Sequence, residues 1–172
     1  MLSLIPFPGG VGSSDFSIDV VVERKPHELQ AIFQVKGKIA DLKIPSVASR
    51  PARKDFLWEH TCFEIFLSET SQSRYEEWNL SPSGDWAHYE FESYRKASST
   101  VNELEAYEIA WMPLSPQEAQ LVATLPVSQK GALDLGLSAV LELRSGQKTY
   151  WALGHPQAKP DFHQRAYFKA RI

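Results

Sequence analysis

Leu133-Asp-Leu-Gly-Leu-Ser-Ala-Val-Leu-Glu-Leu143 decides the fold class. Leu133, Leu135, Leu137, Ala139, Leu141 and Leu143 recur at every second position. Successive side chains of a strand point to opposite faces, so this period of two reads as a strand with one continuous apolar face. Downstream, Ser145-Gly146 turns the chain and Thr149–Gly154 is the last clear strand. The tail from His155 to Arg171 carries Pro156, Pro160, Asp161, Phe162 and His163, and is expected as a packed loop with a short closing strand at Tyr167–Arg171. Upstream, Leu121–Val127 alternates after Ser115-Pro-Gln-Glu118, which imitates a capping box but leads into strand periodicity, so a turn is expected there. Ala106–Met112, Trp86–Glu92 and Tyr75–Leu80 follow in the same sense, with Ser81-Pro-Ser-Gly-Asp85 as turn chemistry between the last two. Ala87, Tyr89 and Phe91 share one side of their strand.

The run Trp58–Leu67 reads as a single strand. Phe63, Ile65 and Leu67 fall on its core face, and Trp58, His60, Cys62, Glu64 and Phe66 on the other. Packing alone does not select a carboxylate and an imidazole among rings. Pro45–Arg53 reads as a loop, and Phe16–Glu23, Leu29–Val35 and Ile39–Ile44 as neighbouring antiparallel strands behind an irregular segment, residues 1–15. Roughly ten strands without an amphipathic helix make an all-β domain, a sandwich or a barrel, and strand spacing does not separate the two. The whole chain, 1–172, is expected to be one domain.

Composition narrows the function. Hydrophobic residues are 43% and charged residues 23% of the chain, a balance that builds a core and argues against disorder. The net charge of −3, with only small basic islands at Arg24–Lys25 and Arg50–Lys54, does not supply the positive stripe that nucleic acid needs. No run approaches the length of a membrane span. The first residues lack a basic leader region and are interrupted by Pro6 and Pro8, and Cys62 is the one cysteine, so a reducing, cytoplasmic setting is expected. Five Trp, six Tyr and nine Phe make 12% of the chain, and many stand beside charged residues, as in a ligand platform.

Motifs for several chemistries are missing. Gly9-Gly10-Val11-Gly12 precedes a strand and opens no helix, so it is no phosphate loop. Gly136-Leu-Ser138-Ala-Val140 lacks the second glycine of a nucleophile elbow. Cys62 and His60 share a face, yet nothing around them builds an oxyanion hole, and a packed thiol is expected. His155, Asp161 and His163 are candidate metal ligands by proximity, but without a further ligand of clear spacing no metal is expected; anchoring of the tail accounts for them. Glu64 with Glu77 or Asp85 could form the acid and nucleophile of a hydrolase, or the same groups could simply accept hydroxyl hydrogen bonds.

Three segments resemble a known family: Leu57-Trp58-Glu59-His60-Thr61-Cys62-Phe63-Glu64-Ile65-Phe66-Leu67, Tyr75-Glu-Glu-Trp-Asn-Leu-Ser-Pro-Ser-Gly-Asp-Trp86, and Tyr150-Trp-Ala-Leu-Gly-His-Pro156. They are similar to family 9 carbohydrate-binding modules and the wider DOMON superfamily, within a little-characterised bacterial DOMON-like group. The resemblance runs from Phe16 onward and implies a sandwich of two antiparallel sheets, of the jelly-roll or immunoglobulin-like kind, with a site on or between sheet faces. In the sugar-binding relatives two rings sandwich a sugar while acidic and amide groups take its hydroxyls. The resemblance therefore makes Trp58 a stacking ring, Glu64 a hydroxyl acceptor and Asn79 a polar contact, with Trp151, then Trp86, as the second ring. Glu77 stands where relatives carry a basic residue. Haem-binding relatives use a Met and His pair, and neither Met1 nor Met112 has a matching partner, so no cofactor is expected. The expectation is a non-catalytic domain that binds a small polar ligand, carbohydrate above all, through Trp58, Glu64, Glu77, Asn79, Trp151 and Trp86. A protein-interaction scaffold is the alternative, and a metal-dependent or two-carboxylate hydrolase comes third.

Overall fold

In a computed structural model, residues 1–9, 15–98, 106 and 108–172 are described. Twelve strands are present among them: β1 Leu2–Pro6, β2 Ser17–Arg24, β3 Glu28–Lys36, β4 Cys62–Glu69, β5 Tyr75–Leu80, β6 Trp86–Ser93, β7 Lys96–Ala97, β8 Glu108–Ser115, β9 Glu118–Pro126, β10 Leu133–Glu142, β11 Lys148–Ala152 and β12 Ala170–Arg171. All pair antiparallel, in one hydrogen-bonded path β7-β6-β5-β4-β10-β11-β1-β2-β3-β9-β8, with β12 also on β10.

The path folds into two leaves at β1. Leu2, Ser3 and Leu4 pair with β2, whereas Ile5 and Pro6 pair with β11, so this strand passes from one leaf to the other. The leaf β1-β2-β3-β9-β8 turns Ile18, Val20, Leu29, Ala31, Phe33, Val35, Leu121, Ala123 and Leu125 inward. The leaf built on β5, β4, β10 and β11 answers with Phe63, Ile65, Leu67, Trp78, Leu80 and the alternating apolar residues of β10. Phe33 of the first leaf meets Phe63 of the second at 5.1 Å between ring centres, and Trp111 of β8 lies 5.9 Å from the same ring. This is the two-sheet sandwich. Each large side chain buried between the leaves contributes roughly 1.5–3 kcal/mol.

The leaves differ on their outer faces. In β3, buried and part-buried residues alternate, as in a sheet with one wet side. In β4, seven consecutive residues are buried, and β10 is nearly as enclosed. The second leaf therefore has a cover on its outer face. That cover is the tail: Phe168 sits on Phe66 and Tyr75, with Phe91 and Phe162 beside them, as a second apolar cluster. Gly136 of β10 makes room, because a Cβ there would stand 2.7 Å from the Phe168 ring.

Several sequence expectations are corrected. Leu2–Pro6 is a strand, so residues 1–15 are not all irregular, while residues 10–14 of that segment lie outside the described residues. Ile39–Asp41 is a 3-10 turn and contributes only an isolated bridge from Leu42 to Leu143, because Lys38 and Asp41 pair within it at 2.9 Å. The strand expected at Ala106–Met112 begins at Glu108 as β8, with residue 107 outside the described set. Trp58 is not in a strand. Leu57–Glu59 forms a 3-10 turn, preceded by Phe56 in the left-handed region at φ 63°, and β4 starts only at Cys62.

Candidate functional site

Alternation along β4, β5, β6, β10 and β11 decides what reaches the outer face of the second leaf. Glu64 opposes Asn79 on β5 and Ser138 on β10, and Glu77 opposes Phe66 and Tyr89. Glu64 and Glu77 are therefore diagonal neighbours on adjacent strands, facing the same side. Between this floor and its cover lies a cavity of about 540 Å³, lined by both carboxylates. One wall is Trp58 and Glu59 of the 3-10 turn, with Tyr89 and Phe91 of β6; the opposite wall is Val140, Lys148 and Tyr150. The tail closes it with Pro160, Asp161, Phe162 and His163, and Arg95 and Ala97 complete the rim.

The aromatic wall is ordered by contacts outside the cavity. Trp58 is 38% exposed and stands 5.5 Å from Phe56 and 6.0 Å from Tyr89, edge to face in each case. The Tyr89 hydroxyl donates to Asp55 Oδ1 at 2.6 Å, and the Arg53 guanidinium lies over its ring. Arg95 sits in the tight turn between β6 and β7 at φ 53°, and its guanidinium donates to Asp161 Oδ1 at 3.0 Å. Asp161 also accepts from the Tyr94 hydroxyl and from the backbone N–H of His163, so Arg95, Tyr94 and Asp161 clamp the tail over the floor.

The floor is electrostatically costly. Glu64 is 3% and Glu77 5% exposed. Burial raises the pKa of both well above the usual carboxylate range, Glu77 raises Glu64 further by like charge, and Arg95 offsets part of the effect on each. Ser138 Oγ donates to Glu64 Oε2 at 2.8 Å, and Asn79 Nδ2 donates to Glu77 Oε1 at 2.7 Å. Beside Glu77 lies His163, its Nε2 3.7 Å from Oε2. The Tyr75 hydroxyl accepts the backbone N–H of Arg95 at 3.1 Å and shares a hydrogen bond with His163 Nδ1, 2.8 Å away. Burial, with Arg95 nearby, pulls the His163 pKa down to about 4, so the ring is neutral beside Glu77.

Of the residues named from sequence, Trp58, Glu64 and Glu77 meet in this cavity. Asn79 lies beneath it, fully buried, holding Glu77 and accepting a weak bond from Cys62 Sγ at 3.7 Å. Trp151 does not reach it: this ring is 2% exposed in the inter-leaf core, with its Nε1–H bonded to Thr149 Oγ1. The register explains the correction, since Trp151 pairs with core-facing Ala139 and Tyr150 with outward Val140. Trp86 packs against the inter-leaf core and also stands away from the cavity lining. Asp85 is a loop anchor, bound to Ala52 N–H, Lys54 and Ser83, and does not face Glu64.

The tail candidates part company. His155 Nε2 bonds Ile5 O at 2.8 Å, far from the roles of Asp161 and His163, and no cluster of three metal-ligating side chains occurs among the described residues. His60 turns to Glu142, 2.8 Å away, leaving Cys62 a buried thiol whose pKa burial pushes well up. The sequence reading missed Tyr150 and Phe162 as lining residues. Tyr89 and Phe91 carried a usable signal, because their shared parity with Ala87 put them on one face.

No protein-family model matches the chain, and no curated protein matches it in sequence. Solved structures do share its fold. A protein from Bacteroides uniformis ATCC 8492, provisionally described as carbohydrate-binding, superposes with a TM-score of 0.64 at 15% identity, over 96% of this chain and 84% of that one. A family 9 carbohydrate-binding module from Caldicellulosiruptor kristjanssonii, in complex with cellotriose, gives 0.63 at 13% identity over 99% of this chain and 81% of that one. A module of the same family and organism, in complex with glucose, gives 0.57 at 13% identity over 99% and 83%. The chain has the β-sandwich fold of these modules.

Proposed function

We propose that this chain is a non-catalytic carbohydrate-binding domain whose site is the cavity on the outer face of the second leaf. The observation that carries the reading is the convergence of Trp58, Tyr89 and Tyr150 around Glu64 and Glu77 in one hollow of about 540 Å³. A sugar ring presents apolar C–H faces and a polar rim. Flat aromatic walls match the faces, and carboxyl and amine groups match the hydroxyls. The fold relatives crystallised with glucose and cellotriose support the same ligand class.

A two-carboxylate hydrolase would hold its acid and its nucleophile or base on either side of a scissile bond. Glu64 and Glu77 project from adjacent strands of one floor, toward the same side of any ligand. That arrangement favours holding over cleaving. The test is titration of neutral and amino mono- and oligosaccharides, glucose and cellotriose included, against Trp58 fluorescence, with calorimetry alongside. Saturable binding that Trp58→Ala weakens is expected, and a flat response across the panel at millimolar sugar refutes the proposal.

A further inference from the structure

We infer that the cavity selects a sugar carrying a protonated primary amine over its neutral counterparts, with the ammonium held between Glu64 and Glu77 on the floor. The inference rests on the sugar-binding reading and names the ligand class within it.

Two carboxyl groups more than nine-tenths buried, on one face, keep their protons up to about neutral pH unless a counter-charge reaches them. The protein provides little. Arg95 is the nearest guanidinium, but it is engaged by Asp161 at 3.0 Å, at the rim. Lys148 lines the cavity and forms no ion pair with either glutamate among the described residues. His163, the one imidazole against Glu77, is neutral. Glu64 is also incompletely satisfied: Ser138 reaches Oε2, and no hydrogen bond among the described residues reaches Oε1. An acceptor left open, inside a hollow, is an invitation to a donor.

A primary ammonium fits on three counts. It carries three N–H donors, enough for an oxygen of each glutamate. Its charge offsets the repulsion between the two carboxylates, which a neutral hydroxyl does not. Trp58, Tyr89 and Tyr150 line the cavity, and an aromatic ring face that meets the ammonium attracts it through its π density while also packing on the sugar carbons. An N-acetyl group removes the charge and two of the donors and adds bulk, so it loses all three advantages.

The experiment compares glucosamine, glucose and N-acetylglucosamine by calorimetry, with the whole chain, at pH 7.5, where the floor pair, raised to about 8 and about 7, releases protons readily as an ammonium docks. Glucosamine is expected to bind at least about tenfold tighter than either neutral sugar, as charge-assisted hydrogen bonds do. In the doubly substituted Glu64→Gln/Glu77→Gln protein, checked for folding by near-UV circular dichroism, that ratio is expected to fall close to one. Glucose or N-acetylglucosamine binding as tightly as glucosamine overturns the inference and leaves the sugar-binding proposal standing. A preference that survives the double substitution overturns the assignment to these carboxylates. Absence of binding by all three sugars, and by the wider panel, overturns both.

Discussion

Replacing both floor carboxylates by amides, Glu64→Gln with Glu77→Gln, is expected to stabilise the protein at pH 8 and leave it nearly unchanged at pH 5. Both groups titrate higher folded than unfolded, from an ordinary value of 4.5, because burial disfavours the charged form and the two charges repel. The folded state thus keeps protons that the unfolded chain releases. Stability must then fall as pH rises from about 4.5 until the folded pair has ionised, and level off above. Each unit of upward displacement is worth about 1.4 kcal/mol. With two groups displaced, by shifts that already include the opposing effect of Arg95, neutral replacement recovers at least roughly 2–4 kcal/mol at pH 8. The amide oxygens still accept from Ser138 and Asn79, so neither of these donors is orphaned. For a chain of this size that gain raises Tm by about 5–15 °C. Thermal or urea unfolding of both proteins at half-unit steps from pH 4.5 to 8.5 reads the difference directly. Asp161, its pKa depressed, acts below that range, whereas His163, pulled from 6.5 down to about 4, lowers the stability of both proteins as pH falls below about 6.5, so the test is read from the gap that opens above it. Parallel stability curves with no pH-dependent gap would refute the claim that this floor is strained by its own charge.

Four further substitutions probe the walls, the cover and the core. Trp58→Ala removes a wall ring that is already part-exposed, so sugar affinity is expected to drop roughly tenfold while stability changes by less than about 1 kcal/mol; calorimetry and a melting curve separate the two. Gly136→Ala puts a Cβ 2.7 Å from Phe168 and 3.1 Å from Phe66 Cβ, which must push the tail off the sheet at a cost of about 1–3 kcal/mol. Faster proteolysis within residues 155–169 would accompany that change, and an unaltered cleavage rate would count against the tail as a cover. Trp151→Ala opens a cavity between the leaves and is expected to cost about 3–5 kcal/mol in urea unfolding, whereas Tyr150→Ala on the neighbouring position lowers sugar affinity instead.

The strands were most legible where one face is wet and one is dry. β3 and β9 announce themselves through alternation that the burial pattern repeats, while β10 is read from its alternating leucines although both of its faces are buried. Parity failed where both faces are buried. In β11 two aromatic residues, Tyr150 and Trp151, stand side by side, and nothing local says which points between the leaves; only pairing with β10 settles it. The sheet switch at β1 was illegible for a related reason. Leu2–Pro6 reads as a short apolar run ending in proline, and its strand character comes from two different neighbours, β2 and β11, distant in sequence. Trp58 is the instructive case. It was placed beside Glu64 by counting along one strand, and it does share a cavity with Glu64, but through a 3-10 turn that folds back over the sheet. The two residues share one hollow, and a turn folded over the sheet joins them there instead of a common strand face.

That difference bears on why the site exists. An antiparallel sheet normally keeps one face wet, so a strand buried on both faces needs a lid, and a lidded sheet face has no reason to retain charge. β4 is apolar at Cys62, Phe63, Ile65, Phe66 and Leu67, yet carries Glu64 in the middle, and β5 carries Glu77 one diagonal step away. A sequence selected for packing alone would place an apolar residue at each position and gain stability by doing so. The tail, meanwhile, is anchored at Asp161 by Arg95 and Tyr94 and at Phe168 by Gly136, on either side of the carboxylates, and leaves a hollow above them instead of filling it. Local rules of sequence design are broken most often where function requires it. Here the same two glutamates break the packing rule and line the hollow, which is why the floor of the second leaf is the surface proposed for binding.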